Sequence, residues 1–308
     1  MTDAFTVTTQ PEPDHESPPP QDQKREVSRS LWADGWRELR AKPGFWACVL
    51  IVLVVSSMAI FPSLWTSGSP GDCQLARGRQ APTAAHPFGF TLQGCDMWAK
   101  LVYGSSKSLA VALLATTGIV VFGMLVGVLA GYFPGIVDTV LSRFTDIFFG
   151  LPFLLGAVVF LAVVPVRNVW TISAVIAVLG WTTIARVMRG SVLATKNKDF
   201  VEAARALGST NTRVIVRHVL PNSVAPIIVL ATIYLGIYVG VEATLTYLGV
   251  GFRRPNSTWG LLIDEGQDYA LQGDAYLLIY PCGFLVITVL AFILLGDMLR
   301  DAFDPRGR

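Results

Sequence analysis

Charged residues are scarce in this 308-residue chain. Asp, Glu, Lys and Arg make up 15% of it, whereas they make up about 25% of a typical soluble domain. Hydrophobic residues reach 52%, and the mean hydropathy is +0.52. This composition excludes a typical soluble protein and predicts an all-α protein that crosses a membrane repeatedly. The net charge of +2 is too small to indicate a partner, and nothing in the sequence favours nucleic acid.

Motifs for ATP binding and for catalysis are also missing. A phosphate-binding loop needs Gly-x4-Gly-Lys-Ser/Thr, because its backbone amides surround the phosphates while Lys meets their charge. The nearest string, residues 104–108, has no Gly before Lys107. The three histidines, His15, His86 and His218, fall in separate segments, so no catalytic triad or metal site is predicted. We expect no catalysis, cofactor or metal on this chain.

Six apolar runs are each near or above the roughly 20 residues that cross a bilayer as a helix. They lie at residues 45–65, 108–133, 139–164, 170–193, 223–248 and 275–299. They predict six transmembrane helices in a domain over residues 44–308. Residues 1–29 predict a disordered tail, since they are rich in Pro, Asp, Glu, Ser and Gln. Residues 30–43 predict an amphipathic helix in the membrane interface, the alternative being the water-exposed start of the first span.

Basic residues indicate which ends of the spans face the cytoplasm. They cluster before the first span, between the fourth and fifth spans, and at the C-terminus: Lys24, Arg25, Arg37, Arg40, Lys42, Arg186, Arg189, Lys196, Lys198, Arg205, Arg213, Arg217, Arg300, Arg306 and Arg308. By the positive-inside rule these segments and both termini are predicted to be cytoplasmic. Residues 66–107, 165–167 and 251–274 are then predicted to lie outside the cytoplasm.

The four cysteines divide by location. Cys48 and Cys282 lie in apolar runs, whereas Cys73 and Cys95 share one polar loop on the predicted outer side. In an oxidising compartment such a pair can form a disulfide, and closing this loop would stabilise the fold by roughly 3 kcal/mol. The alternative is two free thiols.

Two patterns within the spans predict how the helices pack and bend. Gly123, Gly127 and Gly131 recur every four residues, a stripe of small residues that lets another helix approach closely. Pro152 in the third span and Pro226 early in the fifth remove backbone donors and predict bends. Arg143 and Asp146, three residues apart in the third span, predict an ion pair on one helix face.

One long polar stretch between the apolar runs is patterned as ordered structure: residues 199–221, DFVEAARALGSTNTRVIVRHVLP. Val201, Ala204 and Leu207 share a helical face. Asp199 is a plausible N-cap, and Gly208 suits the left-handed residue that ends the first of two short helices. We predict a protein-docking loop over residues 195–221, the alternative being an amphipathic loop that rests on the bilayer.

This loop resembles the cytoplasmic EAA loop of membrane subunits of ABC importers, with the EAA triplet starting at Glu202, then Gly208 and a Leu-Pro pair at 220–221. Four further segments resemble the second permease subunit of the dipeptide/oligopeptide/nickel branch. They are HPFG at 86–89, RHVLPN at 217–222, YLGVG at 247–251 and LLGDMLRDAFDPR at 294–306. Two positions depart from the pattern. His218 replaces the apolar residue of the general EAA signature, and Gly94-Cys95-Asp96 stands where Gly-Arg-Asp is usual.

The resemblance implies a type I importer fold, a cytoplasmic-membrane location and several partners. The partners are a homologous second permease subunit, two cytoplasmic ATPases that carry the ATP and Mg, an extracytoplasmic solute-binding protein, and membrane lipid. The residues implied in ATPase coupling are Glu202, Ala203, Ala204, Leu207 and Gly208. Glu202 would make a charge-assisted bond and the small residues would enter a cleft on the ATPase.

Two questions stay open at this stage. The solute implied is a di- or oligopeptide, but nickel, haem or another small solute is an alternative, and an ion-coupled secondary transporter is a competing class. Glu242 lies inside the fifth span, where an ionisable residue is a functional candidate. It either lines the solute path or makes a structural hydrogen bond to a neighbouring helix.

Overall fold

The computed structural model describes residues 31–303, so the predicted tail at residues 1–29 lies outside the described part of the chain. Regular structure in that part is helical, apart from two isolated β-bridges, Cys73 with Cys95 and Phe90 with Asp96. The helices, in chain order, are α1 (Leu31–Ala41), α2 (Pro43–Ile60), α3 (Met97–Tyr132), α4 (Ile136–Phe149), α5 (Phe153–Val163), α6 (Val169–Gly180), α7 (Thr182–Thr195), α8 (Asp199–Ala206), α9 (Asn211–Val214), α10 (Leu220–Ser223), α11 (Ala225–Tyr247), α12 (Trp259–Gln267) and α13 (Tyr276–Phe303).

Four of these helices, α2, α3, α11 and α13, are long and apolar enough to cross a membrane alone. Two bent pairs supply the remaining predicted spans, α4 with α5 at 79° and α6 with α7 at 48°. The prediction of six spans is met when each pair counts as one span. The bend in the third span occurs where Pro152 predicted it, whereas the bend in the fourth span was not predicted.

The bends predicted at Pro152 and at Pro226 have different outcomes. Pro152 does more than bend the third span, because it stands at the N-cap of α5 and the helix stops completely at Gly150. Pro226 does not bend the fifth span. It lies in the first turn of α11, where a missing backbone amide costs nothing.

Helix α3 is the centre of the bundle, with α2, α6, α7 and α11 packed around it. It begins at Met97, so the polar loop predicted to extend to residue 107 ends at Asp96, which caps the helix by accepting from the Ala99 amide. The glycine stripe packs against α7 as predicted. A Cβ at Gly127 would lie 2.5 Å from the Ala185 carbonyl oxygen, so only glycine permits this approach.

Helix α1 lies where an amphipathic helix was predicted. Its Leu39 is buried against Phe45 and Ala302, and α1 packs on the end of α13. The helix is therefore attached to the bundle and does not only face lipid, while its position in the membrane interface stays a prediction.

A cap of residues 61–96 covers the end of the bundle at which α3 begins. Cys73 and Cys95 form a disulfide within it. Arg79 pairs with Asp274 next to the start of α13, and the Tyr276 hydroxyl donates to the carbonyls of Gln80 and Phe90. The cap is thus attached to the last span through side chains.

Candidate functional site

The loop at residues 195–221 is ordered, and its turn depends on one backbone conformation. Helix α8 begins at Asp199 with Lys198 at the N-cap, so Asp199 is the first helical residue and the prediction that it is the cap is wrong. Gly208 has φ +81°, the left-handed region that favours glycine. Its amide and that of Ser209 donate to the carbonyls of Arg205 and Ala204, which ends α8.

The second half of the loop starts at Thr210, whose hydroxyl accepts from the Arg213 amide and caps α9. A π-helical turn over Ile215–Val219 then leads directly into α10. Pro221 lies near the start of α10 and does not interrupt this helical run.

The residues predicted for ATPase coupling divide between two faces of α8. Val201 and Ala204 are buried in the core of this chain, whereas Glu202 and Ala203 are exposed. Leu207 is 87% exposed, because α8 ends at Ala206 and the helical period no longer places Leu207 beside Val201. The accessible residues of the predicted set are therefore Glu202, Ala203, Leu207 and Gly208, whereas Ala204 is buried within this chain and does not share their face.

Three contacts attach the loop to the end of α3. The Tyr132 hydroxyl donates to Asn211 Oδ1 at 3.0 Å, and the Arg205 guanidinium lies over the Tyr132 ring, 5.3 Å from its centroid. Lys196 Nζ donates to the Gly131 carbonyl at 2.7 Å. The loop is therefore attached to the central helix α3 as well as to α7, which it follows in the chain. The sequence contains no local signal for these pairs.

Charged side chains join α4 to α7. Arg189 makes two hydrogen bonds to Asp138, at 2.6 and 2.7 Å, and Arg186 reaches Asp146 at 2.8 Å. Arg143 is 4.0 Å from Asp146, so the predicted pair within α4 is present but weaker than the bond between helices. A cavity of about 410 Å³ opens between α3, α4 and α7 beside these groups.

Glu242 is fully buried within this chain. Its Oε1 accepts from the Thr246 hydroxyl at 2.8 Å, and that hydroxyl also accepts from the Phe252 amide. The carboxyl group thus supports the turn that follows α11. This burial favours a structural role over a place on the solute path, although the hydrogen bond to Thr246 lies within α11 and does not reach the neighbouring helix that was predicted.

His86 and His218 lie in different parts of the structure and have different surroundings. His86 Nδ1 lies 2.8 Å from Asp96 Oδ2 at the start of α3, while His218 belongs to the π-helical turn of the loop. Residues 31–303 hold no group of three or more His, Cys, Asp or Glu side chains that could bind a metal ion.

The bundle and its exposed polar loop define a helical membrane transport subunit. The chain belongs to the family of binding-protein-dependent transport system inner membrane components, whose model matches residues 123–308. It is 34% identical over 294 residues to the dipeptide transport system permease protein DppC of Alkalihalophilus pseudofirmus, covering 96% of this chain and 95% of that protein. It is 31% identical over 281 residues to the oligopeptide transport system permease protein OppC of Bacillus subtilis, covering 91% and 92%.

A solved structure gives the same fold. An inward-facing structure of the MetNI methionine ABC transporter matches with a TM-score of 0.53 and 24% identity, covering 67% of this chain and 97% of that chain. The predicted all-α type I importer fold is confirmed. The chain is a permease subunit of the inner membrane, and membership of this family implies ATPase and other subunits as partners.

Proposed function

We propose that this chain is the membrane subunit of an ABC importer that carries di- or oligopeptides across the cytoplasmic membrane. The relatives that match nearly its whole length are named as dipeptide and oligopeptide permeases, which supports peptides over nickel, haem or another small solute. The family is that of binding-protein-dependent systems, which argues against an ion-coupled secondary transporter.

The proposed assembly contains a second, homologous permease subunit, two cytoplasmic ATPase subunits or domains, and an extracytoplasmic solute-binding protein. ATP and Mg are bound by the ATPases, and this chain carries no catalysis and no cofactor of its own. The solute passes between the two permease subunits unchanged. Both termini face the cytoplasm, as the basic residues on the 195–221 loop and next to α1 and α13 favour.

The observation that carries the coupling mechanism is the construction of α8. One face presents Glu202, Ala203 and Leu207 outward, while Val201 and Ala204 fix the opposite face to the bundle. A helix held in this way can be pushed as a rigid body. When ATP brings the two ATPases together, the loop is displaced with them, and α3 and α7 move because they are attached to it.

The experiment measures peptide uptake and ATPase activity in the assembly reconstituted from this chain and its proposed partners. Glu202→Lys should leave the subunit inserted but lower binding-protein-stimulated ATPase activity and peptide uptake by about tenfold, since a charge-assisted bond is replaced by repulsion. Glu38→Lys is the matched control, because it makes the same charge change at a partly exposed residue of α1, whose ion-pair partner is Lys42 at the start of α2. Full activity of Glu202→Lys would contradict the docking role.

Gly208 gives a second, independent test of the same loop. A Cβ at Gly208 meets nothing within 4 Å, so any effect of substitution comes from its φ of +81°. Gly208→Val should uncouple uptake because a β-branched residue resists this conformation, at a cost of about 2 kcal/mol. Gly208→Asn should retain most of the activity, because Asn tolerates the left-handed region. Equal losses in both variants would show that the turn geometry is not what matters.

A further inference from the structure

The third span, formed by α4 and α5, breaks near its own middle, which corresponds to the middle of the membrane if the span crosses it symmetrically. Trp181 marks that depth, because it separates the 12-residue α6 from the 14-residue α7 within the fourth span. The rings of Phe144 and Phe148 on α4 lie 5.6 and 5.7 Å from the Trp181 ring, so the C-terminal half of α4 reaches this level. The helix then stops at Gly150 and restarts at Phe153 in a new direction, at 79° to the first.

Such a break cannot face lipid. The first helical bond of α5 runs from the Gly156 amide to the Pro152 carbonyl, so the amides of residues 153–155 have no helical partner. Leu151, in the break, is 47% exposed on this chain. Unpaired backbone groups at membrane depth are tolerated only where protein covers them or where they line a water-filled cavity.

Charged side chains on the same helices distinguish these two environments. Arg143 is 80% exposed, Asp146 52% and Arg186 42%. Arg143 adjoins Phe144 and therefore lies near the level of Trp181, and Arg186 is about 7 Å along α7 from it. Exposed charges at this depth are expensive in lipid and, if covered by another subunit, would each need a partner. Water hydrates all three charged side chains without a protein partner.

The balance of charge favours one kind of solute. Helices α4 and α7 hold three guanidinium groups, on Arg143, Arg186 and Arg189, and two carboxylates, on Asp138 and Asp146, along this part of the bundle. Both carboxylates have a close arginine partner at 2.6 to 2.8 Å, whereas among residues 31–303 the one ion-pair contact of Arg143 is that at 4.0 Å. A net positive wall repels a metal cation and attracts a carboxylate, which an arginine binds through two parallel hydrogen bonds.

We propose that this seam, formed by the α4–α5 break and the facing sides of α4 and α7, lines the aqueous solute pathway, and that Arg143 contacts the carboxylate of the passing peptide. The pathway lies between this subunit and the second permease subunit. The inference rests on the proposed function for the identity of the solute, but not for the presence of water along the seam.

Thiol accessibility tests the seam in the reconstituted assembly. In a background with Cys48→Ala and Cys282→Ala, Leu151→Cys should react with a positively charged methanethiosulfonate reagent about tenfold faster than Leu290→Cys, because only water supports the reactive thiolate. Leu290 is the matched control, since it is 49% exposed but lies on the unbroken α13. A rate ratio near one would overturn the proposal.

A pair of peptides tests Arg143. The same tripeptide is offered with a free C-terminus and as its C-terminal amide, and the ratio of the two uptake rates is measured. Arg143→Gln should lower that ratio by about tenfold, because an arginine–carboxylate contact is lost, while Arg143→Lys should restore part of it. Selection by the solute-binding protein is the same for every variant and cancels. An unchanged ratio would overturn the role of Arg143.

The thiol-accessibility and peptide-uptake experiments also distinguish a failure of this inference from a failure of the proposed function. If the wild-type assembly takes up neither peptide, the proposed function fails, and the Leu151→Cys rate still decides whether the seam is aqueous. If peptides are taken up but Leu151→Cys reacts as slowly as Leu290→Cys, the proposed function stands and the inference fails.

Discussion

Helix α7 meets two of its neighbours, α3 and α4, in opposite ways. Against α3 the backbones touch, since a Cβ at Gly127 would lie 2.5 Å from the Ala185 carbonyl oxygen. Against α4 the rings of Phe144 and Phe148 pack on Trp181, just before α7 begins, and along α7 itself the contact is made by long charged side chains, chiefly Arg189 with Asp138. Close packing is lost as soon as helices separate, whereas partly exposed ion pairs exchange for water at little cost. We infer that α3 and α7 move as one body and that α4 can shift relative to them.

The positions of the loop and of the seam relate this difference in helix packing to transport. The 195–221 loop follows α7 directly and is attached to α3 through Tyr132 and Lys196, so it is connected to the tightly packed pair. The proposed pathway wall lies on the side of α7 where the contacts are polar. A push on the loop would thus move α3 and α7 together and change the space beside α4. The three predictions below test this contrast.

The largest effect is expected from filling the close contact. Gly127→Val places carbon atoms where Ala185 and Met188 already lie, so α3 and α7 must separate, at a cost of about 3 kcal/mol. The expected result is little folded protein after detergent extraction and a strongly lowered thermal midpoint. Gly190→Val is the matched control on α7, because a Cβ at Gly190 meets nothing within 4 Å. Equal destabilisation of both variants would refute the close packing.

Much of this fold can be predicted from local sequence patterns. The apolar runs locate the spans, the four-residue glycine spacing predicts the face of α3 that α7 covers, and Gly208 predicts where α8 ends. Each is a property of residues close together in the chain, so periodicity and backbone preference are enough to predict it. The face of α8 was predicted only in part, because the turn at Gly208 removes Leu207 from the helical period.

The contacts between helices could not be predicted in the same way. Tyr132 and Asn211 are 79 residues apart, and Asp138 and Arg189 are 51 apart. Which of many Arg and Asp residues meet depends on how the helices are aligned, and that alignment is set by packing along their whole length. Pro152 predicts a bend but not its angle, because the angle depends on where α5 finds its packing surface on α6.

A smaller effect is expected from breaking the polar contact of α7. Asp138→Asn removes the charge that Arg189 binds, and because both side chains are partly exposed the expected cost is about 1 kcal/mol. The subunit should fold and assemble, with a slightly lower thermal midpoint that becomes insensitive to salt. Asp138→Asn combined with Arg189→Gln should cost no more than either change alone if the two residues act mainly on each other. A loss of stability as large as that of Gly127→Val would contradict the proposed difference in packing between the two sides of α7.

The smallest effect is expected at the attachment of the loop to α3. Tyr132→Phe removes the hydroxyl that donates to Asn211 but keeps the ring beneath Arg205, so the expected change in stability is about 0.5–1 kcal/mol. We expect the ATPase activity to persist while more ATP is hydrolysed per peptide imported, because the loop then moves α3 less efficiently. Asn211→Ala should give the same ratio, and the double variant should add nothing. If uptake and ATP hydrolysis stay in their normal ratio in all three variants, the Tyr132–Asn211 hydrogen bond does not pass the displacement to α3.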